Sequence, residues 1–155
     1  MTTHVIVGCG KQKRDHPTEA RDLYTSTYFG AKRTYAEAVG DWWHILSAKH
    51  GIIPPDYVID PYDVTVSDLT DDEWCDRVAA RLPDDVVDRF ARVDRVEVLA
   101  GRAYVDPIRD LLADRIDADV VYPFEDAGLG GIGAQMKWCR DRATEASNAG
   151  IGDYV

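Results

Sequence analysis

Three absences in this 155-residue sequence narrow the classes of protein to which it can belong. No apolar run approaches the roughly 20 residues that a membrane-spanning helix requires, and the first residues carry no basic segment of the kind that opens a signal peptide. Cysteine is scarce and scattered, because Cys9, Cys75 and Cys139 form no Cys-x-x-Cys pair. We therefore predict a cytoplasmic protein with no membrane partner, no bound metal and no organic cofactor.

Lysine is also scarce, since only five of the 18 basic residues are lysines. The 28 acidic residues are mostly aspartate and give the chain a net charge of −10. An Asp-rich, Lys-poor composition is typical of proteins from a high-salt cytoplasm, so we interpret it as a halophilic signature. A net charge of this size bears on solubility and association, not on the fold.

The basic residues are distributed unevenly along the chain. Residues 1–50 carry seven Lys or Arg against five Asp or Glu, whereas residues 51–155 carry 11 against 23. All four histidines and four of the five lysines also fall in residues 1–50. This asymmetry favours an anion-binding surface in an otherwise acidic protein. A short basic segment that is merely solvated remains the alternative.

The hydrophobic pattern predicts a single α/β domain over residues 1–155, in which short apolar runs alternate with helical patterns. Thr70 and Glu73 form a capping-box pattern at the start of one of these helices. The predicted strands are residues 4–7, 43–46, 95–100 and 119–122, and the predicted helices are residues 28–39, 70–82, a short segment after Pro83, 107–112 and 134–146. Such alternation predicts a mostly parallel sheet with helices on both faces, with residues 5–7 and 96–99 in interior strands.

Ligands bind beyond the carboxyl ends of the strands in sheets of this kind. Here the strand ends lead into residues 8–14, 47–63, 101–104 and 123–133, which are the most polar or glycine-rich loops of the chain. We therefore expect these loops to meet in one site.

The first of these loops contains Gly8, Cys9, Gly10 and Lys11 directly after a strand. Its spacing fits neither the Walker A motif nor Gly-x-Gly-x-x-Gly. Backbone amides and lysine can still hold an anion there, although a tight structural turn is the alternative. Cys9 becomes a candidate nucleophile if Lys11, Lys13 or His50 stabilises its thiolate.

The second loop begins with Ser47, Lys49 and His50 and continues to a polar cluster of Asp60, Tyr62 and Asp63. We expect His50 to meet the ligand, because an imidazole changes charge near neutral pH. Lys49 would then contact a phosphate or one of the two carboxylates. The polar cluster can position a base or a ribose, or it can form a turn that buries Tyr62. We expect Cys9 and Lys11 to border one cleft with His50 and with Tyr62 or Asp63.

Several motifs together resemble a small prokaryotic and archaeal domain of unknown function that is grouped with YaaA-like proteins. They are Gly-Cys-x-Lys-x-Lys after the first strand, Ala-Arg-Asp-Leu-Tyr-x-Ser at 20–26, Ile-Leu-Ser-Ala-Lys-His-Gly at 45–51, Ile-Asp-Pro-Tyr-Asp at 59–63 and Leu-Ala-Gly-x-x-Tyr at 99–104. The resemblance covers nearly the whole chain. It implies a role in the peroxide stress response and DNA binding, although this chain lacks an evident helix-hairpin-helix insertion. Its architecture is more distantly similar to uracil-DNA-glycosylase-like domains and to base-exchange enzymes of deazaguanine modification.

Two classes of function follow from these observations. The first is a nucleic-acid- or nucleotide-associated protein whose phosphate contacts come from Lys11, Lys13, Arg14, Lys32, Arg33 and Lys49. The second is an enzyme that acts at an N-glycosidic bond of a nucleotide or modified base, with His50, Asp63 and Cys9 as catalytic candidates. A small-molecule sensor without chemistry is a third option, so enzymatic activity and oligomeric state stay open. The predicted ligand-binding residues are Gly8, Gly10, Lys11, Lys13, Arg33, Ser47, Lys49, Tyr62 and Gly101.

Overall fold

The computed structural model describes residues 1–82 and 92–152, and a five-stranded mixed sheet forms its centre. The strands in chain order are β1 (Thr3–Gly8), β2 (Thr18–Glu19), β3 (Trp42–Ser47), β4 (Gly51–Ile53), β5 (Val58–Ile59), β6 (Arg95–Leu99) and β7 (Asp119–Val121). The central sheet has the order β4-β3-β1-β6-β7, and β2 pairs with β5 in a separate two-stranded sheet.

The helices lie between and after the strands along the chain. They are α1 (Ala20–Leu23), α2 (Thr27–Val39), α3 (Asp71–Ala80), α4 (Arg102–Val105), α5 (Arg109–Arg115), α6 (Pro123–Asp126) and α7 (Ile132–Gly152), with short 3-10 helices at Val66–Asp68 and Asp106–Ile108. The helix predicted after Pro83 lies outside the described residues. No helix within the described ranges combines the length and apolar character that crossing a bilayer would require.

Local sequence signals explain where the longer helices begin. The Ser26 side chain accepts a hydrogen bond from the Phe29 amide at 3.1 Å and so caps α2. Both hydrogen bonds of the predicted capping box at Thr70 and Glu73 are present at the start of α3. These side chains satisfy backbone amides that have no partner within the first helical turn.

The predicted mostly parallel sheet is confirmed, because β1 pairs in parallel with both β3 and β6, and β6 pairs in parallel with β7. Strands β1 and β6 are therefore interior, as predicted, and β6 buries Glu97 among its apolar residues. Residues 47–63 were predicted to form a loop, and this is wrong for β4, which pairs antiparallel with β3. A tight turn at Gly51, with a φ of 81°, returns the chain to form this edge strand.

Side chains of the sheet alternate between two apolar clusters. Val5 and Val7 of β1 pack with residues of α2, whereas Ile6 packs with Trp74 and Val78 of α3. Because successive strand residues point to opposite faces, the two clusters lie on opposite sides of the sheet. Helices on both faces stay a prediction, which this division of the core supports.

Candidate functional site

A cavity of about 650 Å³ lies beyond the carboxyl ends of β1, β6 and β7. Strand β1 contributes Gly8 and Cys9, and the segment after β6 contributes Gly101 and Tyr104. The remaining walls come from α2, from α6 and its following loop, and from the first turn of α7. Three of the four predicted loops therefore meet here, as the topology of a parallel sheet predicts.

Lys32 of α2 is the cation at the floor of this cavity, and its side chain is only 2% exposed. Its ammonium donates a hydrogen bond to the Gly8 carbonyl at 2.8 Å and lies 4.1 Å from the ring centre of Tyr28. Burial lowers the pKa of Lys32 to about 8. Within residues 1–82 and 92–152, no carboxylate lies at ion-pair distance from this ammonium.

The wall beside Lys32 is fixed by Tyr28 and Gln135. The Tyr28 hydroxyl donates a hydrogen bond to the Gln135 carbonyl oxygen, and the Gln135 amide donates to the Leu129 carbonyl at 2.9 Å. The first of these bonds joins α2 to α7, and the second joins α7 to the loop that precedes it. Desolvation raises the pKa of Tyr28 to about 12, so its hydroxyl stays protonated at neutral pH.

Cys9 lies at the junction of the cavity and a cluster of phenols. Its sulfur is 3.4 Å from the Tyr104 hydroxyl, and its amide donates to the Leu46 carbonyl at 2.9 Å. Burial raises the pKa of Tyr104, and the neighbouring Cys9 acts in the same direction. The phenol therefore stays neutral and can donate a hydrogen bond or a proton to a group that Cys9 contacts.

A chain of hydroxyl groups runs from Tyr24, at the end of α1, through Tyr62 to Ser47, at the end of β3. The hydroxyls of Tyr24 and Tyr62 are 2.6 Å apart, and Tyr62 is 2.8 Å from the Ser47 oxygen. Ser47 in turn accepts a hydrogen bond from the His50 amide at 3.1 Å. Desolvation raises the pKa of both tyrosines, so this chain is made of neutral groups that can pass or share protons.

Lys13 covers this hydroxyl chain. Its ammonium lies 4.3 Å from the ring centre of Tyr62 and 5.8 Å from that of Tyr24. A backbone bridge between Lys13 and Tyr24 holds the segment in place. Desolvation lowers the pKa of Lys13, while Cys9 and Asp63 act against that shift. A lysine in this setting is a candidate anion contact and a candidate proton acceptor.

The imidazole of His50 packs edge-on against Tyr62, with ring centres 5.6 Å apart. Its Nε2 is buried and has no hydrogen-bond partner within the described residues. Desolvation lowers the pKa of His50, and the cations Lys49, Arg81 and Arg77 add to this shift. His50 is therefore neutral at pH 7 and has one ring nitrogen available for hydrogen bonding.

Comparison with protein families identifies the chain. A family of unknown function, DUF6884, matches residues 5–141, which contain every residue of the site described above. The chain belongs to this family. The match extends from β1 into α7, so the sheet and the cavity are both part of the DUF6884 domain.

The chain is also similar to part of a curated protein. The DUF6884 chain is 42% identical over 67 residues to "Uncharacterized protein YfjM" of Bacillus subtilis (strain 168), and the match covers 39% of this chain and 45% of the Bacillus protein. The chain thus spans less than half of that relative. These comparisons show no link to YaaA-like proteins, so that resemblance stays a prediction.

The structure brings some of the predicted site residues of this DUF6884 chain together and leaves others apart. Those in contact with the cavity or the hydroxyl chain are Gly8, Cys9, Lys13, Ser47, His50, Tyr62 and Gly101. Gly10 lies beside them, because a Cβ at this position would be 3.1 Å from the Ser26 oxygen.

Four other predicted residues lie at the surface or in other contacts. Lys11, Lys49 and Asp63 are exposed. Arg33 forms ion pairs with Asp22 at 2.8 Å and with Glu37, and these ion pairs stabilise α2. The described residues also contain no group of three His, Cys, Asp or Glu side chains arranged to hold a metal ion.

The sequence predicted no role for Tyr24, Tyr28, Tyr104 or Gln135, and it predicted Lys32 only as one of six possible phosphate contacts. A signal for Lys32 exists in the pattern of α2. It occupies a position three residues from Phe29 and from Tyr35, both of which are buried, so it falls on the apolar stripe of the helix. A lysine in such a stripe is either neutralised or functional.

Proposed function

We propose that this DUF6884 chain binds a nucleotide in the cavity, with an anion site formed by Lys32 and the loop after β1. The loop after β3 was also expected to build this site, but none of the described residues that line the cavity comes from it. The observation that carries the proposal is Lys32, a buried ammonium at the floor of a concave site with no carboxylate partner among the described residues. Burying a charge is costly unless an opposite charge accompanies it. An anionic ligand group in the cavity supplies that partner.

The shape of the site favours a free nucleotide over a polymer. The cavity combines the Lys32 cation with apolar walls from Phe124 and Leu129, which is the usual make-up of a small-molecule site. A long polyanion binds through many exposed cations. The −10 net charge of the chain opposes such binding, and of the exposed lysines Lys11 and Lys49 lie in separate loops. Nucleic-acid binding of the YaaA-like kind is the alternative ligand class within this proposal.

Calorimetric titration of the chain with AMP, GMP, CMP, UMP and a short single-stranded oligonucleotide tests the proposal. We expect at least one nucleotide to bind and the Lys32→Met variant to lose that binding. Lys137→Met is the matched control, because Lys137 is exposed on α7 and, among the described residues, forms an ion pair with Asp141 alone. Absence of nucleotide binding in the unmodified chain, or retention of full affinity by Lys32→Met, contradicts the proposal.

The salt dependence of affinity separates the two ligand classes. Binding of an oligonucleotide weakens linearly on a plot of log K against log salt, with a slope set by the number of phosphates contacted. Replacing both Lys11 and Lys13 by alanine flattens this slope if nucleic acid is the ligand. A nucleotide held at Lys32 depends on salt much less, because buried charges are poorly screened.

A second candidate function is cleavage or exchange of a base at an N-glycosidic bond. It is favoured by the position of Cys9, a thiol that lines the cavity 3.4 Å from the neutral hydroxyl of Tyr104. In such a reaction the Cys9 sulfur would attack the sugar carbon as the bond to the base breaks, and the thiol proton would pass through the Tyr104 hydroxyl to the departing base. Water would then hydrolyse the bond between Cys9 and the sugar and return a proton to the thiol. Asp63, which was expected to assist at the sugar, is exposed, but it lies close enough to Lys13 to influence its pKa.

Chromatography of nucleotides incubated with the chain tests this second function. Release of free base, abolished in Cys9→Ala and reduced in Tyr104→Phe, supports an enzyme. Nucleotides that bind but are recovered intact assign the site to binding alone.

A further inference from the structure

Four of the residues that line the cavity are glycines, and they divide into two pairs. Gly8 and Gly128 have reasons within the fold to be glycine. A Cβ at Gly8 would lie 3.1 Å from that of Ala100, and Gly128 has a φ of 69°, which other residues rarely adopt. Neither a close contact nor a positive φ requires glycine at Gly101 or Gly130.

Both of these positions have room for a side chain. In the part of the chain that the structure describes, no atom lies within 4 Å of a Cβ built on Gly101 or Gly130. Gly101 has an extended backbone, with φ −68° and ψ 161°, and neither residue has a positive φ. Gly101 is also the N-cap of α4, where serine, asparagine or aspartate stabilises a helix better than glycine does. The fold alone would therefore accept, or prefer, a larger residue at Gly101.

The two glycines lie at the rim of the cavity and the cation lies at its floor. Gly101 and Gly130 are exposed, whereas Lys32 and Cys9 are buried. The rim also carries Arg102 and Glu125, which lie 3.9 Å apart, and Glu125 pairs with Arg109 as well, so the charges at the rim offset one another and are exposed to solvent. An anionic group is therefore favoured at the floor, and a neutral group at the rim.

We infer that Gly101 and Gly130 form a slot for the base of a nucleotide whose phosphate contacts Lys32. Without a Cβ, the peptide planes of both glycines can lie directly against a flat ring. Leu129 and Ile132, which also line the cavity, can supply apolar contact to that ring. The inference depends on the proposed nucleotide-binding function and adds the orientation of the ligand and the residues that recognise its base.

Calorimetric titrations of Gly101→Ser and Gly130→Ala with two probes test the slot. The first probe is whichever of AMP, GMP, CMP and UMP binds the unmodified chain most tightly, and the second is inorganic phosphate. Steric overlap with the base should weaken nucleotide affinity about tenfold or more in each variant. Phosphate affinity should change less than about twofold, because phosphate alone does not reach the rim. Lys32→Met should lose both probes.

Gly30→Ala is the matched control, since Gly30 also has open space around its Cβ position but lies on α2 outside the cavity. It should bind both probes as the unmodified chain does, and thermal unfolding should show that all three glycine variants are folded. Unchanged nucleotide affinity in both rim variants overturns the slot while leaving nucleotide binding intact. Equal loss of phosphate and nucleotide also overturns it, because the glycines would then act on the anion. If the unmodified chain binds no nucleotide, the proposed function and the slot both fail.

Discussion

Replacing Lys32 by methionine should make the protein more stable at neutral pH while it removes ligand binding. Its pKa falls from an ordinary value of 10.5 to about 8 in the folded chain. A difference of this size corresponds to about 3 kcal/mol of unfavourable free energy for keeping the ammonium buried. Methionine has a similar length and fills the same space, but it loses the hydrogen bond to the Gly8 carbonyl, worth about 1 kcal/mol. The expected net gain at pH 7 is therefore about 2 kcal/mol.

The sign of the pH dependence follows from the direction of the shift. Because the folded chain holds the Lys32 proton less tightly than the unfolded chain does, the free energy of unfolding rises with pH between about 8 and 10.5. The cost of the buried charge is fully present below pH 8 and disappears as the pH rises through this window. The advantage of Lys32→Met should accordingly shrink from about 2 kcal/mol at pH 7 to roughly zero at pH 10.

Urea unfolding followed by tryptophan fluorescence at both pH values measures this difference directly, since Trp74 is buried in the core. Lys137→Met serves again as the control and should change stability by less than about 0.5 kcal/mol, as exposed ion pairs contribute little. A stability difference for Lys32→Met that stays constant between pH 7 and pH 10 would refute the reasoning. A large loss of stability at pH 7 would refute it equally.

Three further outcomes can be measured on the same protein. Gly51→Ala should lower the free energy of unfolding, measured by urea titration, by at least about 2 kcal/mol. The reason is that Gly51 has a φ of 81° and an added Cβ would overlap the Arg77 carbonyl. Stability equal to that of the unmodified chain would show that the turn can rearrange. Iodoacetamide should modify Cys9 before Cys139, because the Cys139 side chain is fully buried and burial raises its pKa to about 12. Bound nucleotide should slow the modification of Cys9. Peptide mass spectrometry checks both expectations, and modification of Cys139 before Cys9 would contradict the placement of Cys9 in the cavity. His50→Ala should keep its melting temperature and weaken nucleotide binding less than Lys32→Met does, because His50 packs against Tyr62 and does not line the cavity; thermal unfolding and calorimetric titration measure both, and complete loss of binding would show that the ligand reaches His50.

The sheet could be predicted from the sequence because its signals are local. Strands β1 and β6 are rich in valine and are followed closely by Gly8 and Gly101, and α3 begins at a capping box that neighbouring residues complete among themselves. Strand β4 could not be recognised in the same way. Its three residues form a strand only because the turn at Gly51 places them beside β3.

The location of the site could be predicted from the sequence, but most of the residues that form it could not. Strand order brought the loops with Cys9 and Gly101 to one edge, and parallel topology requires this. The contact between Cys9 and Tyr104 joins residues 95 positions apart, and that between Tyr28 and Gln135 joins residues 107 positions apart. Such pairs depend on how helices pack over the sheet, which no local pattern encodes.

The turn that contains His50 tolerates inserted residues less well than the loop at the cavity rim does. Arg77 of α3 donates a hydrogen bond to the Ala48 carbonyl at 3.1 Å, and its own carbonyl closes over Gly51. An inserted residue between Ser47 and Gly51 would break these contacts and shift β4 in register against β3. The exposed glycines near Gly130 meet no such neighbours, so insertions can accumulate there. Loop-length variation among related proteins should therefore alter which base the rim accepts and leave the position of His50 unchanged.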